Sequence, residues 1–349
     1  MKARFLLLIL FYSCIGCGQS GGGNTLDFLQ LVQPSRIAAL GGSNLSIFDG
    51  DANMASSNPG LLNASMHDKV TLNFVDYFAG INYASASYTF AIDTTIDRVL
   101  QANMLNANYG TFQYANATGQ LIGGSFTAND ALLSISYAQQ FASSIRGGMA
   151  LKFIYSAIES YHAFGLAADV GASYYNEERG VSIGAVARNI GPSLSYSDNG
   201  ARESLPTELQ LGISKKLKYA PFRVSITLEN LQKWDLTLEN PNLTDQTDPL
   251  TGEVIEVKQP GFVDKAMRHV VLGGELLLTD NFHIRTGFNY KRRRELKLAA
   301  RPGMIGFSLG LGMKINRFHL SYARASYHRA GGTNSLSIVT SIGEFRSKR

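Results

Sequence analysis

The chain is short of charge, of cysteine and of long apolar runs, and each shortage removes a class of protein. Lys, Arg, Asp and Glu make up only 17% of the 349 residues, against roughly a quarter in an ordinary soluble domain. Cysteine occurs twice, at Cys14 and Cys17. Beyond them no thiol remains for a disulfide framework or a thiolate metal site. After the apolar stretch Phe5 to Tyr12, no segment supplies the roughly 18 consecutive apolar residues of a membrane helix. There is one tryptophan, Trp234, and the formal charge of +5 is spread along the chain. No basic patch is joined to an aromatic platform, a zinc-finger spacing or a phosphate loop, so nucleic acid is not indicated as a partner.

Hydrophobic residues reach 45%, aromatics 10%, and there are 35 glycines, a composition suited to a wall that meets lipid on one face. From about Lys69 onward the apolar residues alternate. Phe222, Val224, Ile226 and Leu228 interleave with Arg223, Ser225, Thr227 and Glu229, and Leu309, Leu311, Met313 and Ile315 with Gly310 and Gly312. Period two is the signature of strands with two different faces. It predicts strands over 69–77, 81–91, 98–109, 129–140, 146–156, 162–175, 179–190, 205–217, 221–232, 266–279, 282–290, 303–314, 318–327 and 334–345. A soluble sandwich alternates too. Fourteen segments under a low charged fraction point instead to an all-β fold, a 14-stranded antiparallel transmembrane β-barrel, since strands of about 9 to 11 residues suffice to cross a membrane.

The predicted connections are alternately short (92–97, 141–145, 218–220, 280–281) and long (110–128, 191–204, 233–265, 291–302). Outer-membrane barrels have short periplasmic turns and longer external loops. This parity places both termini in the periplasm and the long loops outside the cell. Lys2 and Arg4, the apolar run and the small residues up to Gly23 read as a signal peptide over 1–20, with lipidation at Cys17 as the alternative. Residues 24–66 do not alternate and form an N-terminal plug or periplasmic cap, leaving 67–345 as the barrel.

Several segments carry more than periodicity. Gln33-Pro34-Ser35-Arg36-Ile37-Ala38-Ala39-Leu40-Gly41-Gly42, Asn58-Pro59-Gly60-Leu61-Leu62, Asn73-Phe74-Val75-Asp76-Tyr77-Phe78-Ala79-Gly80-Ile81 and Asn230-Leu231-Gln232-Lys233-Trp234-Asp235-Leu236 resemble the PorQ-type outer-membrane components of the Bacteroidota type IX secretion system. That family is similar to PorV and, more distantly, to the FadL transporters, fourteen-stranded barrels with an N-terminal plug. The resemblance implies a non-enzymatic role in protein transport to the cell surface. It implies an attachment complex with PorU, PorV and PorZ in which this chain anchors PorZ. The distant transporter likeness implies the alternative, a FadL-like channel for hydrophobic small molecules.

No nucleophile elbow, His-x-x-x-His pair or phosphate loop is present, so neither a catalytic site, a metal site nor a cofactor is expected. Partner contacts are expected in the long loops, which a rigid wall can present without disturbing its ladder. The longest carries Trp234 and Asp235 at its base, then Asp245, Asp248, Glu253 and Glu256. Trp234 either anchors an interface or belongs to the aromatic girdle at the lipid boundary. Lys291, Arg292, Arg293 and Arg294 form the densest basic run. At a rim they meet an acidic protein face or the phosphates of lipopolysaccharide, or are an ordinary solvated edge.

Overall fold

In the computed structural model the alternating segments become a wall closed on itself. Residues 26–31, 34–77, 80–196, 202–237, 246–247, 254–255, 260–296, 303–328 and 331–346 are described. The stretch 1–20 expected as a signal peptide, with Cys17, and Asp245, Asp248, Glu253 and Glu256, lie outside them. Fourteen strands form the wall: β1 Lys69–Asp76, β2 Asn82–Asp93, β3 Arg98–Ala115, β4 Leu121–Ala142, β5 Ile145–Ile158, β6 Tyr161–Asn176, β7 Val181–Ile190, β8 Glu208–Lys216, β9 Phe222–Leu228, β10 Val270–Thr279, β11 Phe282–Asn289, β12 Phe307–Ile315, β13 Phe318–His328 and β14 Gly331–Ser341. Each pairs antiparallel with the next, and β14 pairs with β1, Lys69 opposite Ser341 and Asp76 opposite Asn334. Two short strands, Pro192–Tyr196 and Arg202–Ser204, pair with each other, and the first continues along β6 beyond the end of β7.

Lys69 and Ser341 share one end of the cylinder with the tight connections, such as Asp280-Asn281 and Asn316-Arg317. This end is the turn rim, and the opposite end the loop rim. Outward positions carry large apolar side chains around the circumference: Leu72 is 49% exposed, Phe153 50%, Ile226 45% and Leu311 46%. A belt of that size has no place in water and fits hydrocarbon. Inward positions carry Thr71, Asn73, Ser85, Gln101, Ser134 and Ser136, all buried. Among the described residues no helix is long and apolar enough to cross a membrane, so the crossing is made by strands, which satisfy their backbone polar groups across the ladder.

The N-terminal segment fills the interior. It begins with Leu26, Phe28 and Leu29 in the loop-side half, packed against Val75, Leu105, Leu132 and Ile154. It continues through the one-turn helix α1, Ser35–Ala39, and reaches the turn rim by three 3-10 turns. Each of these is opened by a side chain that accepts a backbone N–H: Asp51 from Asn53, Asn58 from Gly60, Asn63 from Ser65. Such caps favour turns over ladders, which is why this stretch does not alternate.

Several strand ends differ from the sequence expectation. β3 and β4 run on to Ala115 and back from Leu121, so the predicted loop over 110–128 is mostly a protruding hairpin. β10 starts at Val270 instead of 266, because helix α2, Phe262–Met267, occupies the preceding residues. β12 starts at Phe307 rather than 303, and β14 ends at Ser341 rather than 345, followed by the short helix α4, Gly343–Arg346. Alternation is enforced only where one face meets lipid and the other the lumen, and it lapses at the rims.

Candidate functional site: the plugged lumen and the loop rim

Three neighbouring strands carry a row of charge into the lumen. Arg223 on β9, Glu275 on β10 and Arg285 on β11 lie directly opposite one another in the ladder. The α1 turn brings Arg36 against them. Its guanidinium donates to both oxygens of Glu275, at 2.9 and 3.0 Å, to Asp49 at 2.8 and 3.1 Å, and to Asp51 at 3.1 Å. Arg223 donates to Glu275 at 2.7 Å and to Asp49 at 3.1 Å. Arg285 donates to Glu275 at 2.9 Å and to Ser321 at 3.2 Å.

Three guanidiniums thus face three carboxylates, and Glu275 is 1% exposed. Burial alone would raise the Asp49 carboxyl, but Arg36, its charge first and its hydrogen bond next, brings it down to about 2. Such a lattice ties plug to wall. Its net contribution is set against desolvation, while loss of one member leaves a buried charge uncompensated.

The second tie is shape. Wall glycines face the plug so closely that its backbone lies where a side chain would stand. A Cβ at Gly148 would be 2.5 Å from the Pro59 carbonyl carbon, and one at Gly310 2.6 Å from the Ala39 Cβ. At Gly171 it would collide with the Asn58 side chain, and at Gly287 with the backbone of Gly41. Asn58 clamps the same place: its amide donates to Leu45 O at 3.0 Å and Ala172 O at 3.1 Å, while Ser173 donates to Gly60 O at 2.7 Å.

Two spaces remain inside. One, about 400 Å³ in the loop-side half, is bordered by the polar wall and by Lys152, Asp169, Arg188, Glu208 and Arg292. The other, about 660 Å³ at the turn rim, is bordered by the ion lattice with Lys69, Lys216, His283 and His319. Lys152 and Asp169 pair at 2.6 Å. Polar and apolar groups share both linings: the loop-side space also meets Phe28, Leu29, Leu31, Ile37 and Leu132, and the turn-rim space Leu277, Leu278, Met313 and Val339.

At the loop rim the long connections are built into a corner. Trp234, 51% exposed, lies tilted against Phe262 at 5.1 Å and stacks on His269 at 5.8 Å between ring centres. The His269 ring is held between Glu229 O and Trp234 O. Asp235 pairs with Lys265 at 2.5 Å, and hydrogen bonds from Lys265 and Thr237 hold its carboxyl well below the usual range. The basic run forms helix α3, Tyr290–Leu296, and its arginines are engaged within the protein. Arg292 lies over the Tyr327 ring at 4.1 Å and borders the loop-side cavity with Lys291. Arg293 donates to Gly303 O and Ile305 O, and Arg294 pairs with Asp264 at 2.8 Å.

Trp234, Asp235 and α3 are thus gathered at one rim. Arg36, Asp49, Glu275 and Arg285 were missed by sequence reasoning. The available signal was charge at luminal positions of adjacent strands.

A closed fourteen-stranded antiparallel barrel with its N-terminal segment folded inside is the class of fold that these residues define. No family model and no curated protein matches the chain. Solved structures do. The Ralstonia pickettii toluene transporter TbuX is similar with a TM-score of 0.53 at 11% identity, over 89% of this chain and 98% of that one. The P. putida toluene transporter TodX gives 0.52 at 12%, over 90% and 99%. A Pseudomonas aeruginosa FadL homologue gives 0.51 at 11%, over 89% and 99%. At these identities the likeness is one of fold.

Proposed function

We propose that the protein is a non-enzymatic outer-membrane barrel that works at its loop rim, holding a protein at the cell surface. The observation that carries this reading is the lumen, closed by a plug bound through three guanidiniums and three carboxylates and walled by hydroxyl, amide and charged groups. Such an interior ties the plug firmly to the wall, whereas the rim presents Trp234 and Phe262 on an ordered, charged support. The turn rim then faces the periplasm and the loop rim the outside. The resemblance to PorQ-type components supplies the partner, PorZ, within an attachment complex that includes PorU and PorV.

A second reading is a channel for small hydrophobic molecules. The comparisons favour it over a secretion role: TbuX and TodX are described as toluene transporters. In the chain itself it is supported by the apolar cluster around Phe28 and Leu29 in the loop-side half.

One experiment separates the two. The barrel is extracted in detergent, its companions are identified by mass spectrometry, and a strain lacking it is compared. Recovery of PorZ, with its loss from the surface of that strain, supports anchoring. An undisturbed surface complex and hydrocarbon bound in the barrel support transport.

A further inference from the structure

The chamber at the turn rim carries more hydrogen-bond donors than the plug uses. The ladder sets its wall. Lys216 on β8 lies opposite Arg223 on β9, Arg223 opposite Glu275 on β10, and Glu275 opposite Arg285 on β11. His283 stands one luminal position nearer the rim than Arg285, and Lys314 on β12 lies opposite His319 on β13. Apart from Glu275, all of these border the same space of about 660 Å³. Five of six consecutive strands thus bring guanidinium, ammonium or imidazole groups to it.

The ion lattice satisfies only part of this set. Arg36 spends all its N–H groups on Asp49, Asp51 and Glu275. Arg285, however, spends Nε on Glu275 and Nη1 on Ser321, and Arg223 spends Nη1 alone on Asp49 and Glu275. Among the described residues no acceptor meets Nη2 of Arg285, Nε or Nη2 of Arg223, the ammonium of Lys216 or Lys314, or the ring of His283 or His319. Lys69 donates to Gly50 O at 2.5 Å. On the acceptor side, Asp49 and Asp51 are held by Arg36, which leaves Asp280 on the border and Glu344 beyond it, near Lys69 and His319.

Arg285 makes this an interior site and not a charged surface. It is 5% exposed, and its guanidinium lies over Gly312, where a Cβ would come within 2.7 Å of Nη1 and 2.8 Å of Nη2. A buried donor without an acceptor is costly, and its attraction for an anion is screened less than at a surface. One guanidinium fork is enough for a planar carboxylate. Donors arriving from two sides, Lys216 and Arg223 on one and Lys314 and His319 on the other, suit a group with oxygens in several directions, which is phosphate. The volume is in the range that takes a whole small ligand, and Leu277 and Val339 on the same border offer an apolar side to its organic part. The chamber lies within the wall, whereas lipid meets the outward residues Ile284 and Leu311. A soluble molecule therefore reaches it more directly than a lipid headgroup.

We propose that the turn-rim chamber is a binding site for a soluble phosphate ester or pyrophosphate, held by Arg223 and Arg285 beside the plug and by Lys216, Lys314 and His319 at the mouth. It is separate from the loop rim and from whatever is held there.

The test uses the full-length barrel in nonionic detergent, with inorganic pyrophosphate as the probe, titrated by calorimetry at constant ionic strength. The expected result is a single saturable site and an unfolding temperature that rises with pyrophosphate, since a ligand of the folded state stabilises it. Lys216→Gln with Lys314→Gln replaces two exposed side chains outside the lattice. With gel mobility showing the barrel still closed, this pair is expected to weaken binding at least tenfold. Lys218→Gln with Arg317→Gln removes the same charge outside the chamber border and is expected to leave binding unchanged.

No saturable binding, equal weakening in both pairs, or unchanged binding in the chamber pair overturns the proposal. So does a glutamate oligopeptide that binds where pyrophosphate does not, which makes the occupant a protein segment. Displacement of pyrophosphate by phosphatidic acid in the micelle assigns the phosphate to a lipid and overturns the soluble source.

Discussion

Glu275 is the side chain on which most of the lumen depends. It receives hydrogen bonds from Arg36, Arg223 and Arg285 while 1% exposed. Removing one member of a buried ion cluster costs on the order of 3–5 kcal/mol, because the others are left uncompensated. Glu275→Gln keeps the volume and removes the charge. It is expected to destabilise the detergent-solubilised barrel by about that amount in thermal unfolding and to speed trypsin cleavage within residues 35–63. Adding Arg285→Gln, which restores the balance of charge, recovers part of the loss.

The same cluster sets an acid limit. Asp49 has its carboxyl lowered from an ordinary 3.8 to about 2, so its contribution is fully present above the ordinary value and is lost as pH falls from about 4 toward 2. The share of the plug's protease protection that depends on Asp49, read as the difference from Asp49→Asn, is therefore expected to be level from pH 8 to pH 5 and to shrink only below pH 4. Loss of that difference near pH 6 would mean that the Asp49 charge does not hold the plug.

Among the strands, the glycines that admit the plug can be distinguished from those that do not. Alanine in place of glycine normally favours a strand by roughly 0.5–1 kcal/mol. At Gly287, however, the Cβ would meet the backbone of Gly41, and at Gly171 the Asn58 side chain, whereas at Gly274 it would meet only the Thr286 methyl at 3.5 Å. Gly287→Ala and Gly171→Ala are expected to lower the unfolding temperature and loosen the plug. Gly274→Ala is expected to leave both unchanged or slightly improved.

This level was also the most legible in the sequence. β1, β2, β5 and β13 fall within a few residues of their predicted positions, because Leu72, Phe90, Phe153 and Tyr322 had to face lipid while their neighbours faced the lumen. The hairpin over 110–126 was read as loop because no lipid flanks it and nothing imposes alternation. The ion lattice was illegible for another reason. Arg36 reaches Glu275 across 239 positions of chain, and only the closed cylinder brings them together.

As one object, the barrel is a cylinder with its N-terminal segment packed along the lumen. Planar-bilayer recordings of the intact protein should show little conductance, since the plug crosses the lumen from Leu26 to the turn rim. Deleting residues 35–63 is expected to produce stable ion-conducting openings, because Thr71, Asn73, Gln101, Ser134 and Ser136 line what is then exposed. Equal conductance before and after the deletion would show that the plug is not the seal.

The seam between β1 and β14 also orders events in time. Ser35 near the start of the plug bonds Ser337 on the last strand, and Asn73 on the first strand accepts from the same hydroxyl. These contacts join segments 302 and 264 positions apart in the chain, and contacts so far apart form slowly. Until β14 arrives, β1 has an open edge and the plug lacks part of its socket. Closing the cylinder and seating the plug are therefore one event, and both wait for β14 whatever the order in which the other hairpins pair.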